Sequence, residues 1–175
     1  MLLTTQIALA KAGAFCAIGL AAIGSAYGCG VAGAAAIGSW KKCYIQGKDA
    51  PFQLAILTGV PMSQTIYGLI LMLMIANKAV AETAFCWPSF LFMGILGGIA
   101  IAMSAMYQGR AAAGACDALV ESGQGFVNYL IALGVIETIA IFVMVFAILL
   151  LGKIVPEQSA APKAIVETIG TILLA

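Results

Sequence analysis

Histidine is absent from this 175-residue chain, and charged residues make up only 9% of it. The first absence excludes a His-based metal site or proton relay. The second sets the chain apart from soluble domains, in which roughly 25% of residues are charged. There is no basic run either. Eight Lys+Arg against seven Asp+Glu leave a net charge of +1, which offers no electrostatic footprint for nucleic acid. No C-x-x-C pair occurs, so Cys16, Cys29, Cys43, Cys86 and Cys116 read as small apolar fillers and not as a disulfide framework or metal site. Residues 1–10 carry no charged side chain, hence no cationic signal-peptide region, and the first apolar stretch is expected to be retained as a span.

Apolar residues fill the space: 63% of the chain, with a mean hydropathy of +1.11. They come in four uninterrupted stretches, 6–39, 52–77, 87–118 and 125–152. Each is long enough to cross a bilayer, which takes roughly 20 helical residues. The expectation is an all-α integral membrane protein of four transmembrane helices. The breaks run from Trp40-Lys41-Lys42 through Lys48-Asp49-Ala50-Pro51, from Asn77-Lys78 to Trp87-Pro88, and over Glu121-Ser122-Gly123-Gln124-Gly125. Lys41, Lys42 and Lys48 place the first turn in the cytoplasm by the positive-inside tendency.

The halves repeat. Ser25-Ala26-Tyr27-Gly28-Cys29-Gly30 reads against Ser104-Ala105-Met106-Tyr107-Gln108-Gly109, and Gly59-Val60-Pro61-Met62-Ser63 against Gly134-Val135-Ile136-Glu137-Thr138. Two tandem hairpins in the same orientation follow: 1–80, without a membrane carboxylate, and 81–152, carrying Glu137. A mixed tail, 153–175, lies at or outside the membrane surface. Glycine crowds the first and third spans, while the second and fourth carry Leu, Ile, Met and Phe. Small residues let helices approach closely in lipid. That division suits an inner layer of spans 1 and 3 with 2 and 4 outside, as in a ring.

Glu137 lies midway along the fourth span, where an unpaired carboxylate costs at least a few kcal/mol and is a functional candidate by default. Counting about 1.5 Å per residue from the turns puts Ser63, Gln64, Gln108 and Glu137 roughly 21–26 Å deep, in one layer. Positions 60, 63, 64 and 67 share one helix face, so Val60 and Tyr67 join them. Pro61 lacks an amide hydrogen and frees a carbonyl near that face. One carboxylate, two amides, a hydroxyl, a carbonyl and a phenol suit a small, hard monovalent cation. They also suit an interhelical hydrogen-bond network that glues the spans. In the first repeat, Met62 and Cys29 stand where Glu137 and Gln108 stand in the second.

Val60-Pro61-Met62-Ser63-Gln64-Thr65-Ile66-Tyr67-Gly68, Gln108-Gly109-Arg110-Ala111-Ala112-Ala113-Gly114 and Val135-Ile136-Glu137-Thr138, in this order, resemble the duplicated rotor proteolipid of V/A-type rotary ATPases, the form known as K. The resemblance reaches to about residue 152. It implies a homo-oligomeric ring in a bacterial or archaeal plasma membrane. Na+ would be held by the Val60 carbonyl, Ser63, Gln64, Gln108 and Glu137, with Tyr67 hydrogen-bonding the carboxylate; the same rotor carrying H+ is the alternative. The implied partners are lipid, a stator membrane subunit with an arginine, and central-stalk subunits at the turns 41–50 and 119–125. The family usually has Thr at the position of Ser63 and a small residue at that of Met62. The chain contains no G-x-x-x-x-G-K-[ST] loop, so it would be a non-catalytic, ion-translocating subunit of a machine that hydrolyses or makes ATP. A self-contained channel or transporter is the other class to be weighed.

Overall fold

The computed structural model describes residues 2–154. Among them every regular element is helical, and four spans are long and apolar enough to cross a membrane. The first span is α1 (Leu2–Ile45). The second joins α2 (Gln53–Gly59) to α3 (Ser63–Lys78) through a 3-10 turn, Val60–Met62. A 3-10 turn, Ala81–Cys86, leads into α4 (Trp87–Ser122), the third span, and α5 (Phe126–Ile154) is the fourth. Of the tail expected at 153–175, Lys153 and Ile154 continue α5, and the remainder lies outside the described residues.

The helices outrun the apolar stretches. α1 continues through Trp40-Lys41-Lys42 to Ile45, because nothing in that segment breaks a helix before Gly47. There a φ of 65°, which only glycine adopts freely, closes a Schellman-type end with Lys48 N donating to Cys43 O at 3.0 Å and Gly47 N to Tyr44 O at 3.3 Å. The first turn is therefore shorter than Trp40–Pro51. α4 likewise runs to Ser122 and stops where Gly123 takes a φ of 67°. Between the hairpins, the Thr83 hydroxyl donates to Lys78 O and accepts from Val80 N, which holds the connection to two residues before the next helical turn.

Spans 1 and 3 run parallel and form the most extensive interface. Glycine makes the approach possible. A Cβ on Gly109 would lie 2.2 Å from Gly28 Cα, and one on Gly94 would lie 1.8 Å from Gly13 O. Both pairs are 81 residues apart in sequence, close to the 79-residue repeat offset, so the duplicated helices pack nearly in register. The second span packs on the first at Gly68, whose Cβ would meet Ala21 Cβ at 2.6 Å. Outward, Ile66 and Leu73 of the second span and Val135, Ile139, Phe142 and Phe146 of the fourth stay exposed, as lipid-facing residues do. The fourth span is the least embedded, with only Leu133, Ala140 and Leu151 of its described residues buried.

Candidate ion-binding site

Pro61 creates the local geometry of the second span. Without an amide hydrogen it cannot continue the helical ladder, and the backbone tightens to the 3-10 turn in which Ser63 N donates to Val60 O. The Ser63 hydroxyl donates to the same carbonyl at 3.2 Å and also stands 3.2 Å from Gln64 Oε1. One turn further on, Tyr67 reaches the fourth span and donates to Glu137 Oε1 at 2.5 Å. The second span thus presents a carbonyl, a hydroxyl, an amide and a phenol from one face.

The third span contributes Gln108. It accepts from Gln64 Nε2 at 2.7 Å, and its own Nε2 donates to Leu133 O at 2.9 Å and lies 3.4 Å from Glu137 Oε2. Gln64 and Gln108 are both fully buried. The string runs from Ser63 through Gln64 and Gln108 to Glu137, with Tyr67 donating to the carboxylate from the second span. Charge-assisted bonds of this kind are the strong ones, and in a low-dielectric interior they offset much of the cost of holding the acid there. The structure brings Val60, Ser63, Gln64, Tyr67, Gln108 and Glu137 together in one cluster spanning three helices.

One member was not foreshadowed by spacing or residue type. Ser104, almost fully buried, donates to Ile136 O at 2.9 Å. It lies one helical turn before Gln108, and the two side chains grip the backbone of α5 at Leu133 and Ile136, just ahead of Glu137. The available signal was its match to Ser25 in the repeat. Ser25 is also buried, but its hydroxyl has no hydrogen-bond partner among the described residues. Met62, the repeat counterpart of Glu137, is 60% exposed and takes no part in the bonded string. Arg110 turns away from Glu137: its Nη2 donates to Tyr27 Oη at 3.3 Å, and among the described residues Lys42 is the cation that makes ion pairs.

Fold and site define a class, a multi-span helical membrane proteolipid with one intramembrane carboxylate gripped by side chains from two neighbouring spans. Residues 91–150 match the C-subunit family of ATP synthase. Over 154 residues the chain is 32% identical to the A-type ATP synthase subunit K of Methanocaldococcus jannaschii, an alignment covering 87% of this chain and 66% of that protein, so it spans slightly under two thirds of its relative's length. By both matches the chain is similar to the membrane proteolipid subunits of ATP synthases.

Proposed function

We propose that the chain assembles into a closed ring and carries Na+ across the membrane on Glu137, coupled by rotation to ATP hydrolysis or synthesis. The observation that carries this reading is the string of polar groups, from the Val60 carbonyl and the Ser63 hydroxyl through the Gln64 and Gln108 amides, that ends on the half-buried Glu137 carboxylate at mid-span. A proton needs only the carboxylate, whereas a hard monovalent cation needs several oxygens to replace its water. Turning the Gln108 amide over brings Oε1 to the side of Glu137 that Nε2 now faces. A bound cation neutralises the carboxylate and lets it pass through lipid. A stator arginine then attracts the carboxylate, the ion leaves through one half-channel, and rotation by one protomer reloads the site from the other.

The Lys42–Asp117 pair at 3.2 Å, with Glu121 at 3.9 Å and Ser39 donating to Asp117, gives the lysine-rich end a charged platform suited to the central stalk in the cytoplasm. The host membrane in this reading is a bacterial or archaeal plasma membrane. One observation favours the proton-carrying version of the same rotor: Gln108 turns its nitrogen, not its oxygen, to Glu137, and with Tyr67 it forms a two-donor grip that is complete without a cation. Equilibrium binding of radioactive Na+ to the purified ring separates the two. The sodium reading expects saturable binding of one ion per chain, lost in Gln108→Leu. A ring that transports but shows no saturable sodium binding carries protons.

A further inference from the structure

Among the described residues, Ser25 Oγ is the one buried side-chain oxygen or nitrogen without a hydrogen-bond partner. Ser25 lies within α1 and is 4% exposed. A buried hydroxyl left unpaired is costly, and one that persists calls for a reason. Its repeat counterpart, Ser104, donates to Ile136 O at 2.9 Å. The equivalent acceptor in the first hairpin is the Pro61 carbonyl, and Ser25 makes no bond to it.

Two close contacts fix what Ser25 faces. A Cβ on Gly28 would lie 2.9 Å from Pro61 Cβ, and one on Gly68 would lie 2.6 Å from Ala21 Cβ. The first and second spans are therefore antiparallel here, with Gly28 against Pro61 and, seven residues along each helix, Ala21 against Gly68. Ser25 lies three residues from Gly28, and Gln64 lies three from Pro61. By helical spacing, positions 21, 25 and 28 share one face of α1, and 61, 64 and 68 share one face of the second span. Register and face together set Ser25 opposite Gln64. Gln64 has a spare donor to meet it. A glutamine amide carries two N–H groups; one goes to Gln108 Oε1 at 2.7 Å, and the other has no acceptor among the described residues.

The spare pair matters once a cation enters. Turning the Gln108 oxygen to the ion turns its nitrogen to Gln64, so two donors face each other and the Gln64–Gln108 bond is lost. The relief open to Gln64 is to turn over as well, which gives its oxygen to Gln108 and takes it from the ion. An acceptor on the α1 side removes the need. We propose that Ser25 is a positioning residue for the cation-bound site: its hydroxyl accepts from Gln64 Nε2 once Gln108 has turned, and so holds Gln64 Oε1 on the Ser63 side, toward the ion. The hydroxyl hydrogen can turn to the carbonyl four residues back, as helical serines do. This role rests on the sodium reading above. The proton-carrying arrangement, in which Gln108 keeps its present orientation, makes no use of Ser25.

The test measures sodium affinity, and stability in graded denaturing detergent without and with saturating sodium, on purified rings of the unaltered chain, Ser25→Ala and Ser25→Cys. Ser25→Ala is expected to bind sodium about three- to ten-fold more weakly, the worth of one neutral hydrogen bond. Its sodium-free stability is expected not to fall, because the hydroxyl it loses has no partner in that state. Ser25→Cys, which keeps a weak sulfur acceptor, is expected to lie between. Unchanged sodium affinity in both variants overturns the proposal and leaves the sodium reading intact. So does a Ser25→Ala ring that loses stability equally with and without sodium, which would make Ser25 a packing residue of the resting state. An unaltered ring that binds no sodium removes the sodium reading and this proposal with it.

Discussion

Gln108 is bonded to both of the other helices that build the cluster, to the second span through Gln64 and to the fourth through Leu133 O and Glu137. Losing its amide leaves several buried polar groups without partners at once, so Gln108→Leu is expected to disturb the site more than loss of a single bond does. Tyr67→Phe is the cleaner subtraction. It removes one donor from the carboxylate and no volume of consequence, and a hydrogen bond to a charged group contributes about 1.5–3 kcal/mol. Affinity for the transported ion is expected to fall by at least about ten-fold in a binding titration, with helicity unchanged by circular dichroism; an unaltered affinity would show that the Tyr67–Glu137 bond is incidental. The shared depth of Ser63, Gln64, Gln108 and Glu137 was legible in the sequence, because the rise per residue is fixed and counting from the turns suffices. The bonds to Leu133 O and Ile136 O were not, since a backbone acceptor has no residue type to betray it. Ser104 escaped for the same reason: its partner is a carbonyl.

The elements carry the second level. Four spans were legible from apolar length alone, and the thinness of spans 1 and 3 from their glycines. What the sequence did not show was how far the helices extend beyond the apolar stretches, because charged residues such as Lys41 and Lys42 end hydrophobicity without ending a helix. Glycine at a helix crossing gives a sharp prediction. Gly109→Val places branched carbons where Gly28 Cα would already be 2.2 Å from a Cβ, and overpacking of this kind costs about 1–3 kcal/mol or more. Gly114→Ala, with nothing within 4 Å of its new carbon, is expected to be near neutral in the single chain. Unfolding of the two variants in graded denaturing detergent checks the contrast, and equal stability would contradict the interface described between spans 1 and 3. The fourth span, with few buried residues, depends on polar grips, so Ser104→Ala is expected to cost about 0.6 kcal/mol, the average for a hydrogen bond between membrane helices, in the same assay.

At the scale of the whole molecule, duplication has left one mid-membrane carboxylate on four helices, with exposed Met62 in the corresponding place of the first hairpin. A rotor built this way moves fewer ions per turn than one with an acid on every hairpin, which suits work against a steep gradient. The ion-to-ATP ratio of the reconstituted enzyme is expected to match one ion per chain, and a ratio of two per chain would mean that the first hairpin also carries ions. The choice of ion turns on details of amide orientation and oxygen placement finer than composition or spacing can encode. The central claim, that Glu137 is an intramembrane ion carrier occupied by sodium, is tested most directly by a hydrophobic carbodiimide on the purified ring at mildly acidic pH, with and without sodium. Such a reagent attacks a protonated carboxyl in an apolar setting. Modification of Glu137 that millimolar sodium suppresses is the predicted result; a Glu137 that stays unmodified under every condition would contradict the account, and one that responds to pH while ignoring sodium would make the rotor a proton carrier.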